Sequence, residues 1–186
     1  LPTRQRIKDF GAGLLLAVTL MSAWLLIASF LAKNPYRLND HYTVNRFLSA
    51  MAYMLRSVAY EELLFRGALL YILIRRIGAS RAVLASAIGF GIYHWFSYGV
   101  IGQPVQMLIV FLVTAVGGWV FAVAFEKTQS MYLAFALHLG YNVTAMILFS
   151  GNKGMGPQLL VQTFEKDPAD TGTLIFFLSL FINMIV

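Results

Sequence analysis

The chain has 186 residues, 59% of them hydrophobic and only 12% charged, where an ordinary soluble domain carries about 25% charged residues. Mean hydropathy is +0.72 and cysteine is absent, which excludes disulfide frameworks, thiolate metal centres and cysteine nucleophiles. The net charge of +6 comes from basic residues that flank apolar runs, so the expected neighbour is anionic lipid rather than nucleic acid.

The composition predicts one integral membrane domain over residues 1–186, with a polar-motif core at about 47–149. An opening Leu1 in place of Met fits a piece of a longer chain. Phe10 to Ala32 is a run of 23 residues without a charge, long enough at about 1.5 Å per residue to cross a hydrocarbon core about 30 Å thick. It also exceeds the apolar stretch of a signal peptide, so it is read as helix one. Lys33 to Thr43 is a polar connection, and Phe47 to Ile74 is a long second helix that carries Arg56, Glu61, Glu62 and Arg66.

Ala82 to Phe125 contains 44 residues and no Asp, Glu, Lys or Arg. The Gly102-Gln103-Pro104 break divides it into helices three and four. Met131 to Phe149 is helix five, followed by a loop with Lys153, Glu165, Lys166, Asp167 and Asp170. Thr173 to Val186 is apolar again for 14 residues, short of the roughly 20 that a span needs. The expected fold is therefore all-α, a polytopic transmembrane helical bundle of five to six spans with its site inside.

Alternating the loops places Arg4, Arg6, Lys8, Arg75, Arg76, Arg81 and Lys127 on one side, and Lys33, Arg37, Arg46, Lys153 and Lys166 on the other. Seven against five predicts a cytoplasmic N-terminus. The spans do not divide into matching halves, which argues against an inverted-repeat transporter.

Ionisable groups inside a span cost about 2.5–3.5 kcal/mol each on insertion scales and are functional suspects by default. Glu62 and Arg66 stand at i and i+4, where they can form a neutralising pair that pins helices together. Glu61 lies about 100° round the helix and has no such partner; it is either a carboxyl kept neutral by desolvation or at a water-filled edge, or, in the sharper reading, the general base. His94 sits toward the end of helix three. His138 and Asn142, at i and i+4 of helix five, share one face. Together these are the parts of a hydrolytic site, in which a carboxylate or imidazole takes a proton from water and His or Asn donors stabilise an oxyanion. The bland alternatives are packing and interhelical hydrogen bonding. Gly89, Gly91, Gly117 and Gly118 are read as points of close helix approach. Trp95, Phe96 and Tyr98 form an interfacial belt or border a substrate entrance.

These residues resemble the CAAX protease and bacteriocin-processing family of intramembrane proteases, whose pattern is E-E-x-x-x-R, F-x-x-x-H and H-x-x-x-N. Glu61, Glu62 and Arg66 match the first motif, Phe90 and His94 the second, and His138 and Asn142 the third, in the family order inside successive apolar helices. The resemblance implies a membrane-embedded endopeptidase in which Glu61 and His94 activate water, and His138 and Asn142 line the oxyanion hole. Glu62, Arg66 and Phe90 would support them. It implies a peptide or protein substrate, prenylated or membrane-inserted, and the lipid bilayer as partner.

A metal-free, glutamate-activated water is favoured, because the helical zinc signature H-E-x-x-H is absent. Zinc held by Glu61, His94 and His138 is the alternative. Two further readings use the same polar groups without hydrolysis: a membrane scaffold or bacteriocin-immunity protein that binds a peptide or partner helix, and a cation-coupled transporter. The expected location is a bacterial plasma membrane.

Overall fold

A computed structural model describes residues 3–149 and 158–163. Six α-helices carry nearly all of this structure: α1 (Arg4–Leu31), α2 (Val44–Arg66), α3 (Ala68–Ile77), α4 (Ala79–Ser97), α5 (Pro104–Thr128) and α6 (Met131–Val143). Arg4–Leu31, Pro104–Thr128 and Met131–Leu148 are each long and apolar enough to cross a membrane. The protein is a helical membrane protein, and the large side chains it leaves outside, among them Leu15, Leu20, Phe30, Val105 and Val116, suit contact with lipid. Lys153, Glu165, Lys166, Asp167, Asp170 and the run from Thr173 lie outside the described residues.

Short polar side chains start several helices by accepting an otherwise unpaired backbone N–H. Thr3 Oγ1 accepts from Arg6 N, Thr43 Oγ1 from Arg46 N and Ser130 Oγ from Tyr132 N. Pro104 opens α5, and Gln129 ends it in the left-handed conformation.

The long second helix expected over Phe47 to Ile74 is corrected by the structure, which breaks it into α2 and α3 at Gly67. A Cβ at Gly67 would run into the Leu63 carbonyl oxygen, so the chain can fold sharply back on the preceding turn only with glycine there. The fifth helix also changes character. From Thr144 to Leu148 it widens into a π turn, where the Phe149 N–H reaches back five residues to Thr144 O and the Thr144 hydroxyl bonds the Gly140 carbonyl.

The chain forms two compact units. Among the described residues, the first comprises 3–14 and 56–138, and the second 15–55, 139–149 and 158–163. In the first, α4 and α5 pack along one another around Leu70, Ala82, Phe90, Phe121 and Phe125. Two of the four predicted glycines make that approach. Gly91 faces Phe111 and Ala115, and a Cβ on Gly118 would lie 2.8 Å from Phe90 Cβ, whereas Gly89 and Gly117 have no atom closer than 3.7 Å and 3.8 Å. At one end of this unit Arg6 Nη1 donates to the last carbonyl of α5, Thr128 O, at 2.6 Å.

The second unit contains an unexpected feature. The connection after α1 supplies strand β1 (Tyr36–Leu38), which pairs antiparallel with β2 (Leu160–Gln162), setting Tyr36 opposite Gln162. Asn39 ties one end of this strand pair, its N–H on Leu159 O and its side-chain amide on Gln158 O. Thr163 closes the other end through Pro35 O. Tyr36 packs edge-on to Phe149, over Met21, Leu25 and Ala145.

Two outcomes follow from this packing. Gly118→Ala pushes a rigid methyl against Phe90 and destabilises the protein by about 1–3 kcal/mol, as overpacking does; Gly117→Ala leaves Tm in detergent nearly unchanged. Burial pushes the Tyr36 phenol up to about 12. Because the folded value lies above the unfolded one, this contribution to stability is complete below about pH 10 and is lost as pH rises toward 12. Phenolate absorbance should therefore lose a component that titrates near pH 12 in Tyr36→Phe.

Candidate active site

The site is built within the first unit from the end of α2, the middle and end of α4, and α6, with α5 behind them. Glu62 and Arg66, four residues apart, form the predicted pair, both side chains fully buried. Arg66 Nε donates to Glu62 Oε2 at 2.8 Å and its Nη2 to Glu62 Oε1, a two-pronged geometry that satisfies both carboxylate oxygens. Three rings close around the guanidinium, with Arg66 Cζ 4.5 Å from the centre of Phe90, 5.3 Å from Phe121 and 5.6 Å from Phe65. Each presents its negative π face to a cation held out of reach of water.

The same Glu62 reaches a third element. His138 Nδ1 lies 2.8 Å from Glu62 Oε1, and since that carboxylate accepts, the imidazole donates from Nδ1. The His138 ring is stacked on Phe121 (centres 4.6 Å apart, planes at 16°) and edge-on to Phe90. His94 is fixed in the equivalent tautomer, its Nδ1–H donated to Phe90 O at 2.7 Å. Both imidazoles thus hold their Nδ1 protons away from the centre and turn Nε2 toward it.

What they turn toward is Glu61. Its Oε2 stands 3.9 Å from His94 Nε2 and 3.8 Å from His138 Nε2. It is buried and makes no hydrogen bond among the described residues. Both separations exceed direct hydrogen-bond length and are of the size that a bridging water spans. Ser57, one turn earlier in α2, lies beside the Glu61 carboxyl. Glu61, Glu62, Arg66, Phe90, His94 and His138, six of the seven residues singled out from the sequence, are thus brought together. Asn142 follows His138 by one turn of α6, is half-buried, and belongs to the second unit.

The family model described as type II CAAX prenyl endopeptidase Rce1-like matches residues 43–144, more than half of the chain. The chain belongs to that family. Comparison with curated proteins and with solved structures gives no match. Membership makes this Rce1-like protein a CAAX-type intramembrane protease in the general sense, acting on a peptide or protein substrate in a membrane. The matched segment takes in α2 to α6 and all three polar motifs.

Two participants carry no signal in the sequence. Ser57 is an ordinary small polar residue in an amphipathic stretch, and Phe121 is one of 15 phenylalanines; only their placement distinguishes them. Trp95, expected in a belt or at an entrance, donates its indole N–H to Met107 O at 2.8 Å and packs on Phe111. Tyr98 stands with its ring centre 5.4 Å from that of His94.

Removing one member of a buried ion pair strands the other, at a cost of about 3–5 kcal/mol. Arg66→Met should therefore lower Tm sharply. Combining it with Glu62→Leu recovers much of the Tm but not the activity, because Glu62 also holds His138.

Proposed function

We propose that this Rce1-like protein hydrolyses peptide bonds with a water activated by Glu61 and His94, and that His138 and Asn142 supply the oxyanion hole. The observation that carries the reading is the approach of two imidazole Nε2 atoms to within 3.9 Å of a buried carboxylate oxygen that has no hydrogen-bond partner among the described residues.

A water hydrogen-bonded at about 2.8 Å to Glu61 Oε2 and His94 Nε2 fits the 3.9 Å between them. Glu61 takes one proton as the water oxygen attacks the scissile carbonyl carbon. Negative charge moves to the carbonyl oxygen. When the tetrahedral intermediate collapses, the C–N bond breaks and Glu61 returns the proton to the leaving nitrogen.

His138 donates to the oxyanion from Nε2, since Nδ1–H is committed to Glu62. It can do so only as the imidazolium. In that state Glu61, Glu62, Arg66 and His138 sum to zero charge, which suits a site away from water. Asn142 enters as the second donor on the H-x-x-x-N spacing, one turn along from His138.

We favour chemistry without a metal. Tetrahedral zinc, with bonds of about 2.0–2.1 Å, sets its ligand atoms roughly 3.3 Å apart, and the 3.8 and 3.9 Å separations are wider. No three His, Asp or Glu side chains among the described residues are grouped to hold a metal ion. The substrate class we propose is a prenylated or membrane-inserted peptide, in a bacterial plasma membrane. Arg6 against Thr128, beside Lys127, supports the grouping of basic residues behind a cytoplasmic N-terminus.

Glu61→Gln keeps the size of the side chain and removes the basic oxygen. The purified variant should accumulate normally and cleave a farnesylated, internally quenched CAAX peptide at least 100-fold more slowly than wild type. Wild-type activity should survive a chelator, with no stoichiometric zinc by elemental analysis. Full activity in Glu61→Gln refutes the base; chelator-sensitive cleavage with one zinc per chain makes Glu61, His94 and His138 ligands instead.

A further inference from the structure

The catalytic motifs lie on α2, α4 and α6, yet the surface that holds His138 in its plane comes from α5. An imidazole pivots about its Cβ–Cγ bond over a broad, shallow torsional range. A single hydrogen bond at Nδ1 tethers one edge and leaves the ring free to tilt. Phe121 removes that freedom: it lies nearly parallel to the imidazole, 16° between planes and 4.6 Å between centres, while Phe90 meets the imidazole edge-on at 5.7 Å. Phe121 is itself braced, at right angles to Phe90, and buried. One turn earlier, Gly118 admits Phe90 against the α5 backbone, so Phe121 meets both the imidazole and the guanidinium of Arg66.

We propose that Phe121 is a positioning residue of the proteolytic site: its ring face sets the plane of His138, so that Nε2 is directed at the reacting centre beside Glu61. In this proposal it acts only through His138. The inference rests on the hydrolytic reading for its effect on catalysis, but the ring orientation it predicts is measurable without any substrate.

Three substitutions separate the flat face from bulk. Phe121→Leu and Phe121→Met keep an apolar side chain, Met being flexible enough to fill the space, and Phe121→Tyr keeps the ring. Phe125→Leu, buried in the same helix and cluster but outside the site, is the control for lost packing. The full chain is reconstituted in nanodiscs and assayed with the farnesylated, internally quenched peptide. In parallel, histidine side-chain 15N spectra are recorded; only His41, His94 and His138 contribute.

Phe121→Leu and Phe121→Met should lower kcat at least tenfold with KM within about twofold, and should broaden or move the His138 nitrogen signals. Phe121→Tyr should restore both, and Phe125→Leu should lower Tm without changing kcat or the His138 signals. Unchanged kcat and unchanged His138 signals in Phe121→Leu would overturn the proposal, as would loss of kcat in Phe125→Leu equal to that in Phe121→Leu. If wild type cleaves nothing, the hydrolytic reading fails, and the 15N spectra alone then decide whether Phe121 holds the ring.

Discussion

Glu62 and Arg66 both lie out of reach of water, and each neutralises the charge of the other, although Arg66 Nη1 has no hydrogen-bond partner among the described residues. A carboxylate buried alone would take up a proton, and a guanidinium buried alone has no neutral form to retreat to. Their two-pronged contact keeps both charged, and the unit grows outward from it. His138 docks on a Glu62 oxygen, bringing in α6. Phe90 and Phe121 close on the guanidinium, bringing in α4 and α5. The helix geometry then does the rest: if residue 62 faces this core, residue 61 must project about 100° away, toward the two Nε2 atoms. A carboxylate held in a buried ion pair and the one proposed as the base are thus neighbours in sequence because a helix turns between them.

The chemistry follows from tautomers as much as from distances. Both Nδ1 protons are drawn outward, one by a backbone carbonyl and one by a carboxylate, so neutral imidazoles present only lone pairs to Glu61. Three acceptors facing one point call for a donor among them. In the reading developed above there are two donors: the water, and His138, which carries its second proton from the outset and keeps it through the reaction.

Much of the site was legible in the chain, because charge inside apolar helices is conspicuous. Glu61, Glu62, Arg66, His94 and His138 announce themselves against their surroundings, and the i,i+4 spacing of Glu62 and Arg66 foretold their pairing. Their convergence was not legible, since it depends on how α2, α4 and α6 pack. Phe121 and Ser57 were hidden for the opposite reason: a phenylalanine in an uncharged run and a serine before a charged one look like their neighbours. The helix positions were close to expectation where Pro104 or the end of an uncharged apolar run marked a boundary. The break at Gly67 was not foreseen, because a glycine within an apolar helix is usually tolerated and here the decisive crowding is with the Leu63 carbonyl. The π turn after Val143 depends on backbone bonds that no side-chain pattern encodes.

The pairing of β1 with β2 has a temporal side. Tyr36 meets Gln162, 126 residues later, and at about 5–20 residues per second a ribosome needs roughly 6–25 s to make the intervening chain. Throughout that interval the first strand is an open edge, able to pair with any passing backbone. All of α2 to α6, including every charged group of the site, is synthesised before the partner strand exists. The strand pair therefore closes late, over a loop whose entropic cost is set by that length, and misfolding of this protein during biogenesis should begin at the Tyr36–Leu38 edge rather than among the helices that carry its chemistry.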